Sequence, residues 1–215
     1  LHCYDPIVDE GRISDELRQR VEARHQQDRV LEPGALRALG HPLRIRIYNI
    51  LNNYGPQTAS SLAERLGESS GSTSYHLRAL AKYDLIREVE GKGNARERWW
   101  ERPAGGVALA SPETMRSPAG RAASQLVTAE FFRQRQEQVV RFVDRAHADE
   151  PQQWQDASLI STASVRLTPE QSRELTLRIM AIIDETVDAY RDQTGATVRP
   201  VTIRADIFPL PENEG

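Results

Sequence analysis

The sequence predicts a mostly α-helical protein with a small β component: a winged helix-turn-helix domain, a long dimerisation helix and a small α+β carboxy-terminal unit. Three observations carry this. Residues 58–66 and 70–80 read as two short amphipathic helices, with Gly67 in the turn between them. Residues 85–89 and 97–101 read as two strands around Gly91-Lys92-Gly93-Asn94-Ala95-Arg96, a tip of glycines and cations. From about Ser117 to Ala148, Ala122, Leu126, Ala129, Phe132, Val139, Val143 and Ala146 form an apolar stripe too long for one small domain to cover.

Composition sets the outer bounds. At 215 residues, 39% apolar and 27% charged, the chain fits a soluble globular protein with room for two modest domains. No stretch approaches the roughly 18 consecutive apolar residues of a membrane helix, so no membrane partner is expected. No basic-then-apolar segment opens the sequence, and a cytoplasmic location is expected. A lone Cys3 forms no internal disulfide. The net charge of −3 is unevenly spread. Residues 34–102 hold 11 Lys+Arg against 7 Asp+Glu and both lysines of the chain, Lys82 and Lys92. A basic segment within an acidic chain is the footprint of a phosphate-facing surface.

Taken in order, residues 1–29 form an amino-terminal extension with a helix over 14–27. Its thin stripe (Leu17, Val21, Arg24, His25) implies packing on another subunit or a mobile segment. Residues 30–103 form the winged-helix domain. Pro42 suits the first turn of a helix whose Leu43, Ile47, Ile50 and Leu51 share one face. Thr58 caps the next helix, and Ala59, Leu62, Ala63 and Leu66 face inward. Residues 104–116, rich in Pro, Gly, Ala and Ser, read as a linker. Residues 117–215 form the dimerisation and effector region. Ser117-Pro118 opens the long helix, whose Leu126, Ala129, Phe132, Val139 and Val143 are the candidate dimer interface. Residues 159–167 and 201–207 alternate as strands. Between them a capping box of Thr168 and Gln171 opens a helix that buries Leu175, Ile179, Ile182, Ile183 and Tyr190.

Helical geometry sorts the second helix of the motif. With Thr73, Leu77 and Leu80 inward, Gly71, Tyr75, Arg78 and Lys82 turn outward. Ser69 is the N-cap, so Ser70, Gly71 and Ser72 occupy a first turn whose N–H groups favour phosphate. The hydroxyls of these serines and of Ser74 suit phosphate or base edges alike. Tyr75 offers a ring to a thymine methyl, and Arg78 a bidentate fork to guanine. Lys92, Asn94 and Arg96 would project from the wing toward the minor groove or its phosphates. The partner these residues imply is double-stranded DNA.

Leu36-Arg37-Ala38-Leu39-Gly40-His41-Pro42-Leu43-Arg44, the later Ser74, His76, Leu77 and Leu80, and the Leu85-Ile86 strand with its basic wing together resemble the ArsR-type winged-helix regulators. The resemblance covers about Leu36 to Arg102, roughly a third of the chain. It implies a homodimer that binds a palindromic operator, usually as a repressor relieved by an effector. The Cys-x-Cys metal site that family carries on its recognition helix is absent from this sequence.

Three other readings stand beside this one. A His/carboxylate metal-responsive regulator would have to use His147 with Asp144 and Asp149, and a solvated helix end explains that cluster better. A winged helix can also serve as a protein-interaction module. An enzyme is not expected, because no phosphate-cradling glycine loop, nucleophile elbow or zinc-hydrolase histidine pair is present. No metal or cofactor is expected. The carboxy-terminal unit either tunes DNA binding, through dimer geometry or an organic ligand in a pocket of Phe132, Val139, Leu159 and Ile179, or simply completes the dimer core.

Overall fold

Caps and prolines set the element boundaries. In the computed structural model, which describes residues 8–9, 12–26, 28–94, 97–109, 111–146 and 149–211, elements follow in this order. They are β1 (Val8–Asp9), β2 (Arg12–Ile13), α1 (Asp15–Gln26), β3 (Arg29–Val30), α2 (Pro33–Leu39), α3 (Pro42–Tyr54), β4 (Gln57–Thr58), α4 (Ala59–Leu66) and α5 (Ser70–Ala81). Then come β5 (Arg87–Asn94), β6 (Glu97–Glu101), β7 (Val107–Ala108), α6 (Pro112–Arg116), α7 (Pro118–Ala146), α8 (Gln152–Asp156) and α9 (Pro169–Tyr190). Packing divides them into two compact units, Asp28–Ile160 and the described residues within Leu1–Gln27 and Ser161–Gly215. Packing therefore groups α7 with the winged helix, where the sequence reading grouped it with the carboxy-terminal segment.

In the 28–160 unit, α2, α3, α6 and α7 each have proline at the first turn, where no amide donor is lost. Thr58 and Ser61 form a reciprocal capping box on α4, and Gly67 closes that helix in the left-handed region at φ 68°. Ser69 then caps α5 by accepting from the Ser72 N–H at 3.1 Å. The core joins Leu36 and Leu39 of α2, Ile45 and Ile47 of α3, Leu62 of α4, Leu77 and Leu80 of α5, Ile86, and Val127 of α7, all nearly inaccessible to water. Strands order β4-β6-β5, and Trp100 of β6 plugs the core at 9% exposure.

Several sequence expectations change here. Segment 104–116 is more than a linker: β7 pairs in parallel with β3, and Ser111, the cap of α6, and Thr114 within that helix are buried. Strand β5 runs on to Asn94, so Gly91 and Gly93, with φ of 70° and 96°, sit in an irregular stretch of the arm opposite Trp99 rather than at the tip. A side chain at Gly93 would collide with the Glu97 carbonyl. Helix α7 has a second face that the stripe did not single out. Ala123, Ser124, Val127 and Gln134 turn inward, and Gln134 Nε2 donates to the Pro42 carbonyl at 3.1 Å.

The other unit is small. Helix α1 packs on α9 of its own chain, rather than on a second subunit or staying mobile as its thin stripe suggested. Ile13, Leu17 and Val21 meet Leu177 and Ala181. Around them Arg18 pairs with Glu174 at 2.6 Å, Arg20 with Glu185 at 2.9 Å, Arg24 with Asp184 at 3.2 Å and Asp188 at 2.7 Å, and Arg173 with Glu22 at 2.7 Å. The Arg24 guanidinium holds the Asp188 carboxyl below its usual range, chiefly by direct hydrogen bonding. These arginines select the acidic side of α9. Hence Leu177, Ala181 and Asp184 are buried, and of the residues expected inside, Leu175, Ile179 and Ile183 are half-buried while Ile182 and Tyr190 are 61% and 63% exposed. The Thr168–Gln171 capping box forms as expected. Residues 159–167 and 201–207 do not form strands. Alternation favours the pleat, but neither stretch has a pairing edge within the described chain. The β part of this unit is instead the β1–β2 pair.

Candidate nucleic-acid interface

Helix α5 owes its orientation to its buried side. Thr73, Leu77 and Leu80 are fully buried, and Thr73 Oγ1 also donates back to the Ser69 carbonyl at 3.0 Å. Gly71, Tyr75, Arg78 and Lys82 are thereby exposed at spacings of 4, 3 and 4 residues, one continuous face. Tyr75 is 58% exposed, a large aromatic ring held in water. Ser70 is exposed at the first turn, while Ser72 and Ser74 are half-buried at the sides of this face. Because Ser69 occupies the Ser72 N–H, the amides of Ser70 and Gly71 are the first-turn donors directed outward. A Cβ at Gly71 would meet nothing closer than Ser69 Oγ at 3.9 Å, so packing does not demand glycine there.

Behind the face lies a contact the sequence did not announce. His76 is 8% exposed, and its Nδ1 accepts from Arg44 Nε at 3.3 Å, while Arg44 Nη1 donates to the Ala38 carbonyl at 2.9 Å. The His41 ring stands 4.6 Å away, and His41 Nδ1 caps α3 by accepting from the Leu43 N–H at 3.2 Å. Burial lowers the His76 pKa from 6.5, with His41 and Arg44 adding to the effect. A neutral His76 is what the Arg44 hydrogen bond requires. Both histidines are thus structural, tying α5 to α2 and α3.

The wing supplies the second surface. Lys92 is exposed, with its Nζ 3.9 Å from the centre of the half-buried Trp99 ring, a cation–π contact that fixes where the charge sits. Arg87 pairs with Glu101 at 2.8 Å and Arg98 with Glu88 at 3.4 Å, so carboxylates flank those two cations. Asn94 lies opposite Glu97 in the ladder. Arg96 lies outside the described residues. Arg29 braces the turn between α5 and the wing by donating to the carbonyls of Asp84 and Tyr83 at 2.7 and 2.8 Å. Asp84 holds φ of 51° there.

Beside α5 a groove of ≈ 1060 Å³ opens between α3, α4 and α7. Arg46, Arg65, Arg133, Arg141 and Arg145 line it against Glu68 and Glu137. Arg65 lies over Tyr54 at 4.7 Å, and Arg133 is held by Glu130, whose carboxyl titrates below its usual range because of that bond. The basic surface is therefore wider than α5 and the wing alone. These arginines are scattered through the sequence, and only their convergence in space reveals the groove.

The candidate interface residues of α7 lie at the surface. Leu126, Phe132 and Val143 are 56%, 52% and 45% exposed, Ala129 is exposed and Val139 half-buried. Leu126 also touches the neighbourhood of Gly40. Phe132 and Leu159, expected in an apolar pocket, are largely open to water, Leu159 at 86%. Asp144 and Asp149 are exposed, and their expected companion His147 lies outside the described residues. Among the described residues no three His, Cys, Asp or Glu side chains gather as a metal site, and no helix is long and apolar enough to cross a membrane.

Comparison with known proteins is consistent with the local geometry. A family model described as a helix-turn-helix domain matches residues 39–89, and this segment is a helix-turn-helix domain. No curated protein matches the chain. Among solved structures, the adhesin competence repressor (AdcR) from Streptococcus pyogenes aligns over 83% of this chain and 92% of its own, at 12% identity and a TM-score of 0.29. That likeness is too slight to bear on function.

Proposed function

We propose that the chain is a sequence-specific DNA-binding transcriptional regulator of the ArsR-like kind, acting as a homodimeric repressor on a palindromic operator. The observation that carries this is the exposed face of Gly71, Tyr75, Arg78 and Lys82 on a helix capped at Ser69 and locked from behind by Leu77, Leu80 and His76. Such a face fits the major groove: Arg78 presents a fork for guanine, and Tyr75 a ring and hydroxyl for a neighbouring base. Ser70 and Gly71 meet the phosphate at the groove edge, and Lys92 with Arg96 engages the flanking backbone. Exposed Leu126, Ala129, Phe132, Val140 and Val143 give α7 an apolar surface that a second copy would cover. At ~1.5 Å per residue this helix is about 43 Å long, enough to span two recognition modules.

Titrating labelled duplex DNA across a salt series tests the assignment. Affinity is expected to fall steeply with salt, and Lys92→Ala to flatten the log–log slope by about one unit. Binding that ignores salt would favour the protein-interaction reading. Sedimentation at micromolar concentration is expected to show a dimer, and a monomer would remove the palindromic operator from the account.

A further inference from the structure

Residues 159–167, Leu-Ile-Ser-Thr-Ala-Ser-Val-Arg-Leu, lie outside any helix, strand or turn, and all nine are exposed. Leu159, Ile160, Val165 and Leu167 are 86%, 59%, 69% and 42% exposed, an unusual density of large apolar groups in water. Among the described residues no backbone hydrogen bond reaches this stretch. In a β conformation Leu159, Ser161, Ala163, Val165 and Leu167 would share one face. As a strand, such a stretch would need a partner edge.

Its sequence says which edge fits. We propose that residues 159–167 of two copies pair as antiparallel strands across a two-fold axis at Ala163. In that register Leu159 stands opposite Leu167, Ser161 opposite Val165, and Ala163 opposite itself. On the other face Thr162 meets Ser164, and Ile160 meets Arg166. Arg166, the one charge in the stretch, falls beside an aliphatic side chain along which its stem can lie, so no like charges oppose each other. Residues 201–207 offer a control within the same chain. Val201 and Ile203 are also exposed, at 68% and 49%, but the equivalent self-pairing sets Arg204 against Arg204. Like charges directly opposite destabilise a strand pair. The selected stretch is thus self-complementary in the way an isologous contact requires, with residue i meeting j and j meeting i.

The inference rests on the homodimer reading, because a two-stranded ribbon is marginal by itself. Once a first contact joins the copies, the second forms at the millimolar effective concentrations of a tethered pair. The ribbon then adds a second clasp to the α7 interface.

Disulfide trapping in the full chain tests it. Ala163→Cys, Thr162→Cys and Ser164→Cys are each placed in a Cys3→Ser background and oxidised in air, and covalent dimer is followed on non-reducing gels. Directly opposed Cβ atoms lie ~4.5–5.5 Å apart, near disulfide reach, whereas residues 162 and 164 face each other and not themselves. The Ala163→Cys protein is expected to cross-link on the order of tenfold faster than the other two. Equal rates, or a faster neighbour, overturn the register. No cross-link at 163 in a protein that sediments as a dimer overturns the strand pair and leaves the dimer standing. A monomer on sedimentation overturns both.

Discussion

Among the described residues, nineteen buried apolar side chains form one cluster between residues 28 and 160, whereas the unit of α1 and α9 gathers five. The first unit can hold an exposed tyrosine and an arginine in fixed positions on α5 because the helix is anchored by a large core. The second relies on a ring of arginine–carboxylate pairs, and surface pairs of that kind each contribute little, about 0–1 kcal/mol. It also leaves Ile182, Tyr190, Val201 and Phe208 open to water. One unit has the core to hold a surface in place, and the other exposes much of its apolar area.

That contrast can be broken experimentally, because Trp99, Trp100 and Trp154 all belong to the 28–160 unit. Leu80→Ala empties a fully buried site and should lower that unit's stability by ~2–5 kcal/mol, moving the denaturation midpoint seen by tryptophan fluorescence. Circular dichroism, which sees α1 and α9 as well, should keep a second transition in place. Superimposable curves from both probes would mean the units unfold as one.

The reciprocal change is Asp184→Asn, which removes a buried carboxylate that Arg24 contacts at 3.2 Å. A cost of ~1–3 kcal/mol is expected, visible in the helical signal and silent in tryptophan emission. A shift in the tryptophan midpoint of similar size would contradict the separation of the two cores.

Within the presenting unit, folding and function should part company at Gly71. Since a Cβ there meets only Ser69 Oγ at 3.9 Å, Gly71→Ala should raise stability by about 0.5 kcal/mol. The same methyl should weaken DNA binding by obstructing the approach of phosphate to the first turn. Unchanged affinity would take this turn out of the interface.

The smallest expected effect is a pH dependence. Burial, with His41 and Arg44, keeps His76 below 6.5 when folded, so the unfolded chain takes up the proton first as pH falls. The stability that neutral His76 contributes is complete above pH 6.5 and lost as pH falls from there toward the lowered folded value. His76→Gln, which keeps an acceptor for Arg44, should flatten the stability curve in that range when measured by urea denaturation. A curve of the same steepness would remove the role given to His76.

How much of this was legible in the sequence follows the same divide. Thr58, Ser69 and Thr168 were readable as caps because a cap is a local event, decided within four residues. The outward set on α5 was readable because Leu77 and Leu80 fix the phase of the helix. The inward face of α9 was not, since Leu175, Ile179 and Ile182 make the stronger apolar stripe. Arginines of α1, 156 to 165 residues away in the chain, choose the acidic side instead. Residues 159–167 show the same limit from the other direction: their alternation was visible, but no rule of spacing supplies a partner. The glycines of the wing were readable as its tip, but their place in the arm, at positive φ, depends on register, which the opposite strand sets.

The central claim, that the exposed face of α5 reads bases, is tested most directly by selecting bound sequences from a random duplex pool with the wild-type and Arg78→Ala proteins in parallel. The wild type is predicted to enrich a palindrome whose half-sites lie about 10–10.5 base pairs apart, or a multiple of that. Arg78→Ala is predicted to lose preference at one symmetry-related pair of positions, by ~1–3 kcal/mol each, and to retain the rest. No enriched motif with the wild type, or the same motif at the same strength with both proteins, would contradict the account.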